Sequence, residues 1–191
     1  MLTDLMKKCC RCHLEKTRTR VVLPKGSNRA EVMFIGEAPG ETEDKRVSPF
    51  CGSAGKWLKA GIDYLCLSDT GYYLTNVLKC RPVDKKGRNR KPRKGEIELC
   101  GTWLKDEIKE VEPKIIVLLG GTALDTFFAN NKISHVAGYE LKGHKYFDKL
   151  NIKIFALFHP AVLLYNEGKY KNIYEIHLNR LKKLIKSEGI K

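Results

Sequence analysis

The stretch Glu31-Val32-Met33-Phe34-Ile35-Gly36-Glu37-Ala38-Pro39-Gly40 decides the fold. Its apolar residues run consecutively from Val32 to Ile35 and end in a Gly-rich turn, the pattern of a strand buried on both faces rather than half open to water. Three further runs read the same way: Tyr72 to Val77, Lys114 to Leu119 and Ile152 to Phe158. Helical spacing fills the intervals. After Ser53, read as an N-cap, Trp57, Leu58, Ile62, Leu65 and Cys66 form an apolar stripe; Ile97, Cys100, Leu104, Ile108 and Val111 form another. Ala123 to Phe128 makes a shorter helix, and Ile173, His177, Leu181 and Leu184 mark one with a Lys-rich outer face. Strands alternating with helices predict an α/β domain of three layers, α/β/α, around a mostly parallel four-stranded sheet with right-handed crossovers.

A chain of 191 residues with 42% hydrophobic content can bury one core, so residues 1–191 are expected to form a single domain. The first few residues and Ser187 to Lys191 read as loose ends. Lys and Arg number 36 against 22 Asp and Glu, a net charge of +14 that favours a polyanionic partner over a small neutral substrate. Lys enrichment that merely decorates a surface would give the same sum. The segment from Arg81 to Lys94, with Pro82, Gly87 and Pro92 among many cations, reads as an exposed basic loop. No run approaches the roughly 18 apolar residues of a membrane span, and Met1 to Met6 lacks the pattern of a signal peptide, so the expected location is cytoplasmic, with no membrane partner. Seven cysteines in a reducing compartment argue against a disulfide framework and for a metal or catalytic use.

In a parallel sheet, ligands gather beyond the carboxyl ends of the strands. The four strands run into Gly36 to Gly40, Asn76, Gly120-Gly121 and His159-Pro160. Backbone amides, a carboxamide and an imidazole along one rim suit a polar planar group.

These blocks carry a resemblance. Gly36-Glu37-Ala38-Pro39-Gly40 with Glu43-Asp44 and Pro49-Phe50, then Thr75 to Pro82, Asn89-Arg90-Lys91-Pro92, Pro113 to Gly120, and His159-Pro160-Ala161-Val162-Leu163-Leu164 resemble, in order and approximate spacing, the iron-sulfur uracil-DNA glycosylases, often called family four. The resemblance implies the uracil-DNA glycosylase fold and a DNA repair enzyme that flips uracil out of DNA, hydrolyses its glycosidic bond and leaves an abasic site. It also implies that Cys9, Cys12, Cys80 and Cys100 hold a 4Fe-4S cluster in a structural role, tying the N-terminal segment to the loop between residues 80 and 100. On the residues alone the same four positions also suit zinc, or buried free thiols. Cys10 is an extra thiol beside them, whereas Cys51 and Cys66 read as packing residues.

The remaining roles follow from the same resemblance. His159 would hydrogen-bond uracil O2 as charge develops there, Asn76 would read the uracil edge, and Phe50 would stack on the base, although a His after a strand and a Phe in a turn are commonly structural. Gly36, Ala38 and Gly40 would line the base site. Better-known uracil glycosylases place an aspartate where this chain has Ala38, so Glu37 is the carboxylate expected to orient water, with Glu43 and Asp44 organising the loop. Leu163 would wedge into the vacated stack; Leu163 and Leu164 also read as a helix-start packing pair. Lys79, Arg81, Arg88, Arg90 and Lys91 are candidate phosphate contacts. Two departures from the resemblance stand out: Lys45-Arg46-Val47-Ser48 stands where that family usually places a Gly and a basic residue before Pro-Phe, and Val83 to Arg88 stands where the family's stretch is commonly shorter and Pro-rich. A shifted specificity toward other deaminated bases, or a catalytically idle damage-binding protein, are the competing functions. The expected partner is uracil-containing DNA, met by a monomer, with unidentified repair or replication proteins beside it.

Overall fold

The structure, a computed structural model, describes residues 2–190. Its central sheet is built from β1 (Lys25–Gly26), β2 (Val32–Gly36), β3 (Tyr72–Asn76), β4 (Ile115–Leu119), β5 (Glu140–Leu141) and β6 (Lys153–Leu157), in the order β1-β3-β2-β4-β6-β5. The four expected strands form the parallel centre, and the two-residue β1 and β5 add antiparallel edges. The sheet is therefore six-stranded rather than four-stranded. Strands of two residues bury too little to leave a periodic signal in sequence.

Side-chain alternation along the central strands divides the interior into two layers. Val32, Phe34, Ile115, Val117 and Leu119 join one cluster; Met33, Ile35, Ile116 and Leu118 join the other. The first cluster is covered by α3 (Ser53–Tyr64), α8 (Ala161–Tyr165) and α9 (Glu167–Ser187), the second by α1 (Leu2–Lys7), α4 (Lys94–Val111), α5 (Gly121–Phe127) and α7 (Lys145–Lys149). Two short helices, α2 (Glu41–Arg46) and α6 (Ile133–Val136), lie in connections. Each fully buried Ile or Leu of β4 contributes about 1.5–3 kcal/mol of transfer free energy, so truncating Ile116 to Ala would cost roughly 2–5 kcal/mol.

Helix ends explain the boundaries. Glu96 accepts from the Arg93 N–H at 2.7 Å at the start of α4, just after Pro92, and Glu112 ends it in a left-handed conformation before Pro113. Asn166 caps α9 by accepting from the Lys169 N–H at 3.1 Å. At α3 the cap is Gly52, and Ser53 is the first helical residue. Neither end of the chain is loose where it is described: Met6 is fully buried, and Ile190 packs into the α9 layer. Lys191 lies outside the described residues. No helix among the described residues is long and apolar enough to cross a membrane.

Candidate functional site

The carboxyl ends of β2, β3, β4 and β6 open into a cleft of about 530 Å³, lined by residues including Glu37, Ala38, Gly40, Phe50, Asn76, Gly120 and His159. Register places them. Gly36 pairs with Asn76 across β2 and β3, and β4 lies between β2 and β6. A Cβ on Gly36 would collide with the Asn76 Oδ1 and the Phe50 ring, so the missing side chain is what lets the carboxamide and the aromatic ring meet. Phe50 itself has φ 51, and a Cβ on Gly55 would strike its carbonyl, so the start of α3 props the turn that presents the ring. Its centroid lies 6.5 Å from that of His159, the planes inclined by 30°.

His159 is held as a hydrogen-bond donor. Its Nδ1 accepts from the Ala161 N–H at 3.2 Å, so in the neutral ring the proton sits on Nε2. Burial pushes the imidazole pKa down to about 4, with the Glu43 carboxylate opposing the shift. The ring is therefore neutral at pH 7 and offers an N–H, not a cation. Gly120, at φ 85, allows the close approach, because a Cβ there would meet the His159 Cβ at 2.9 Å.

Glu43 fastens the first loop to the Phe50 turn: its carboxylate accepts from the Gly40 N–H at 3.2 Å and the Gly52 N–H at 2.7 Å. Asp44 ties the N-terminal segment to α2 by accepting from the Thr19 hydroxyl at 2.7 Å. Glu37 lines the cleft and accepts a hydrogen bond from the Thr122 hydroxyl. Thr122 escaped the sequence reading; its signal was its place directly after Gly120-Gly121 at a strand end. Asn89 and Tyr165, also on the cleft lining, were not assigned there either.

Residues 23–183 match the model of the Uracil DNA glycosylase superfamily. The chain is 36% identical to a type-4 uracil-DNA glycosylase of Archaeoglobus fulgidus, covering 92% of each chain. It is 34% identical to a type-4 uracil-DNA glycosylase of Thermotoga maritima, over 99% of this chain and 95% of that one. The chain belongs to the type-4 uracil-DNA glycosylases.

Two DNA-facing expectations for this glycosylase need correction. Lys79 is 2% exposed and its ammonium is consumed by Thr75, Asn76 and Glu107, so it cannot reach a phosphate. Leu163 is 3% exposed and packs in the core, so it is not available as a wedge. On α8 the outward residues are Leu164 and Tyr165, 48% and 88% exposed. The packing reading of Leu163 is the one the helix geometry favours, since only one of two consecutive residues can face the sheet.

Arg81 and Arg90 organise the basic loop from within. Arg81 donates to the Asn89 side chain at 2.6 Å and the Gly87 carbonyl at 3.2 Å. Arg90 forks onto Glu96, which also pairs with His13, and donates to the Val83 carbonyl at 2.9 Å. Arg90 and the exposed Lys91 border the cleft, while Arg88 is exposed and paired with Asp84.

Cys9, Cys12, Cys80 and Cys100 line one small cavity with Arg18, Lys79 and Leu99; Cys10, Cys51 and Cys66 are not part of its lining. Nitrogen donors reach three of the sulfurs: Arg18 to Cys80 at 3.2 Å, the Lys79 N–H to Cys100 at 3.3 Å and the Trp103 indole to Cys9 at 3.2 Å. Burial pushes the Cys80 thiol up to about 11 and raises Cys100 as well. Among the described residues no three His, Cys, Asp or Glu are grouped to grip a single ion. Four thiols lining one small cavity are a soft donor set of the kind that an iron-sulfur cluster takes, one thiolate to each iron.

Proposed function

We propose that the protein hydrolyses the N-glycosidic bond of uracil in DNA, holding the flipped base in the cleft at the strand ends and leaving an abasic site with the backbone uncut. The observation that carries this is the meeting of Asn76, Phe50 and a neutral, Nε2-protonated His159 in one cleft of a type-4 uracil-DNA glycosylase. The Asn76 carboxamide donates to uracil O4 and accepts from N3–H, a pair of contacts that cytosine reverses. Phe50 supplies the stacking surface.

As the N1–C1′ bond breaks, the electron pair goes to the base and charge collects on O2, where the His159 Nε2–H donates. A neutral donor suits an anion that must still leave. Uracil departs as the anion, water adds to C1′ and gives up a proton to solvent, and the freed base takes up a proton on N1 from solvent. Glu37, fixed by Thr122, orients that water; Ala38 has no group to do so. Gly36 and Gly40 let the backbone come close to the base. Leu164 and Tyr165 fill the vacated stack in place of Leu163, and Arg81 and Arg90 shape the loop whose outer cations meet phosphate.

Cys9, Cys12, Cys80 and Cys100 would hold a 4Fe-4S cluster. When bound it supplies cross-linking of the N-terminal segment to α4 and to the exit of β3, since hydrolysis needs no electron transfer.

Release of uracil from a single-uracil oligonucleotide by wild type, His159→Ala and Asn76→Ala tests the chemistry. Undiminished release by both variants would refute the pocket, and release of hypoxanthine in preference to uracil would shift the substrate. Visible absorption and iron content of anaerobically purified protein test the cluster; a colourless, zinc-loaded protein would remove it.

A further inference from the structure

We propose that the buried Lys79–Glu107 pair is a positioning device for Asn76, setting the aim of the carboxamide that reads the base. It rests on the role given to Asn76 above. The Lys79 ammonium spends its three N–H donors on three acceptors: the Thr75 hydroxyl at 2.5 Å, the Asn76 backbone carbonyl at 2.6 Å and Glu107 Oε2 at 2.5 Å. Glu107 is fully buried, and its carboxylate also accepts from the Thr75 hydroxyl at 3.0 Å and the Tyr73 hydroxyl at 3.4 Å. Tyr73, Thr75 and Asn76 are the last residues of β3 and its exit, so one ion pair gathers the strand end.

The location is what assigns the role. The β2–β3 ladder ends at Gly36 and Asn76, with the Val77 N–H still donating to the Gly36 carbonyl at 2.9 Å. The Asn76 carbonyl points away from that ladder, and the ammonium holds it instead. On its other side the carboxamide is confined by Gly36 and Phe50. Backbone and side chain of Asn76 are thus fixed from opposite directions.

A buried ion pair is a poor stabiliser, because desolvating both charges offsets most of their attraction, and an apolar pair of similar volume commonly stabilises as well. An apolar pair cannot grip the Asn76 carbonyl. Glu107 lies on α4 seven residues after Cys100, on the same helical face, and the Lys79 N–H donates to the Cys100 Sγ. The helix that borders the cysteine cavity therefore holds Lys79 at two points, and Lys79 in turn holds the Asn76 carbonyl.

The test compares wild type with Lys79→Met, Glu107→Gln and the double variant Lys79→Met/Glu107→Leu. Three quantities are read: Tm, affinity for free uracil, and the Asn76 carboxamide resonances in ligand-free protein. The double variant is expected to keep Tm within about 5 °C of wild type, yet to bind uracil and release it from DNA about tenfold or more weakly, with displaced Asn76 resonances. Affinity for uracil-free DNA stays unchanged. A double variant with wild-type uracil affinity and unmoved Asn76 resonances overturns the proposal. Should it not fold, Glu107→Gln, which keeps volume and removes the charge, decides by the same two readouts. A purely structural role would lower Tm and leave both untouched. A wild type that releases no uracil would defeat the function instead, while the ligand-free resonances would still judge the brace.

Discussion

The base cleft and the four-cysteine cavity are both assembled from residues far apart in the chain, but they are held by different means. In the cleft, Asn76 ends a central strand and Glu37, Gly120 and His159 follow others, so sheet register brings them together and side-chain bonds only set their final aim. Around the cavity, Cys9 and Cys12 sit in the connection after α1, Cys80 follows β3 in irregular chain, and Cys100 rides on α4. Single side-chain donors from Arg18 and Trp103 join those segments. The contrast teaches that the cleft is preformed by the fold, whereas the cavity helps to make the fold. Damage to the first should abolish chemistry in an intact protein; damage to the second should loosen the protein and reach chemistry only through it.

The sharpest attempt to break that distinction is His159→Ala. Removing one donor aimed at developing negative charge costs roughly 10²–10³ in rate. Single-turnover uracil release should fall by that factor while Tm stays close to wild type. A comparable collapse in Tm would mean that the cleft, too, is structural.

Cys100→Ala is the converse. Losing one corner of the proposed centre should remove the visible absorption and lower Tm by about 10 °C, roughly 3 kcal/mol for a chain of this size. Well below the new Tm, the folded fraction should still release uracil. If activity vanished at full folding, the cavity would have to be counted as part of the chemistry.

How far the sequence revealed these regions follows the same division. Consecutive apolar runs such as Val32 to Ile35 fix parallel strands, and parallel strands fix where their ends meet, so Asn76 and His159, 83 positions apart in the chain, are legible as neighbours. Direction was not legible. Lys79 belongs to a cation-rich stretch and reads as a surface charge; only the position of Glu107, 28 residues on, turns it inward. Leu163 and Leu164 are chemically identical neighbours, and the helical phase that buries one and exposes the other is set by packing against α3 and α9. Arg81 and Arg90 read as phosphate contacts on an exposed loop, but the carbonyl and carboxylate partners that hold them depend on the loop's own fold. Thr122 carries no motif, and its bond to Glu37 joins two strand ends that sequence order separates.

A smaller effect sharpens the border of the cleft. Tyr165→Ala should slow release from duplex DNA about tenfold, because the unstacking it would compensate costs a few kcal/mol in a duplex. Release from single-stranded DNA, where that cost is mostly absent, should hardly change. Leu163→Ala should behave oppositely, lowering Tm through a core cavity by roughly 2–5 kcal/mol with no strand-dependent loss. If Leu163→Ala alone produced the duplex-specific defect, the burial of that side chain would have to give way when DNA binds.

The least effect concerns pH, and it bears on how preformed the cleft is. His159 has its folded pKa lowered by burial to about 4, against about 6.5 in an unfolded chain. Between these values the unfolded chain binds the proton and the folded one does not, so stability rises with pH across that window. The full contribution is present above about 6.5, is lost progressively as pH falls toward about 4, and stops changing below it, where both forms are protonated. At pH 5.5 the loss is on the order of 1 kcal/mol. His159→Gln, which cannot titrate, should flatten that part of the stability profile between pH 4 and 6.5. Uracil release by wild type should meanwhile show no inflection from this group between pH 5 and 8, because the imidazole stays neutral throughout. An inflection near 6.5 that His159→Gln removes would show that the ring titrates like an exposed one, and that the cleft is open and remade around the base rather than set by the sheet.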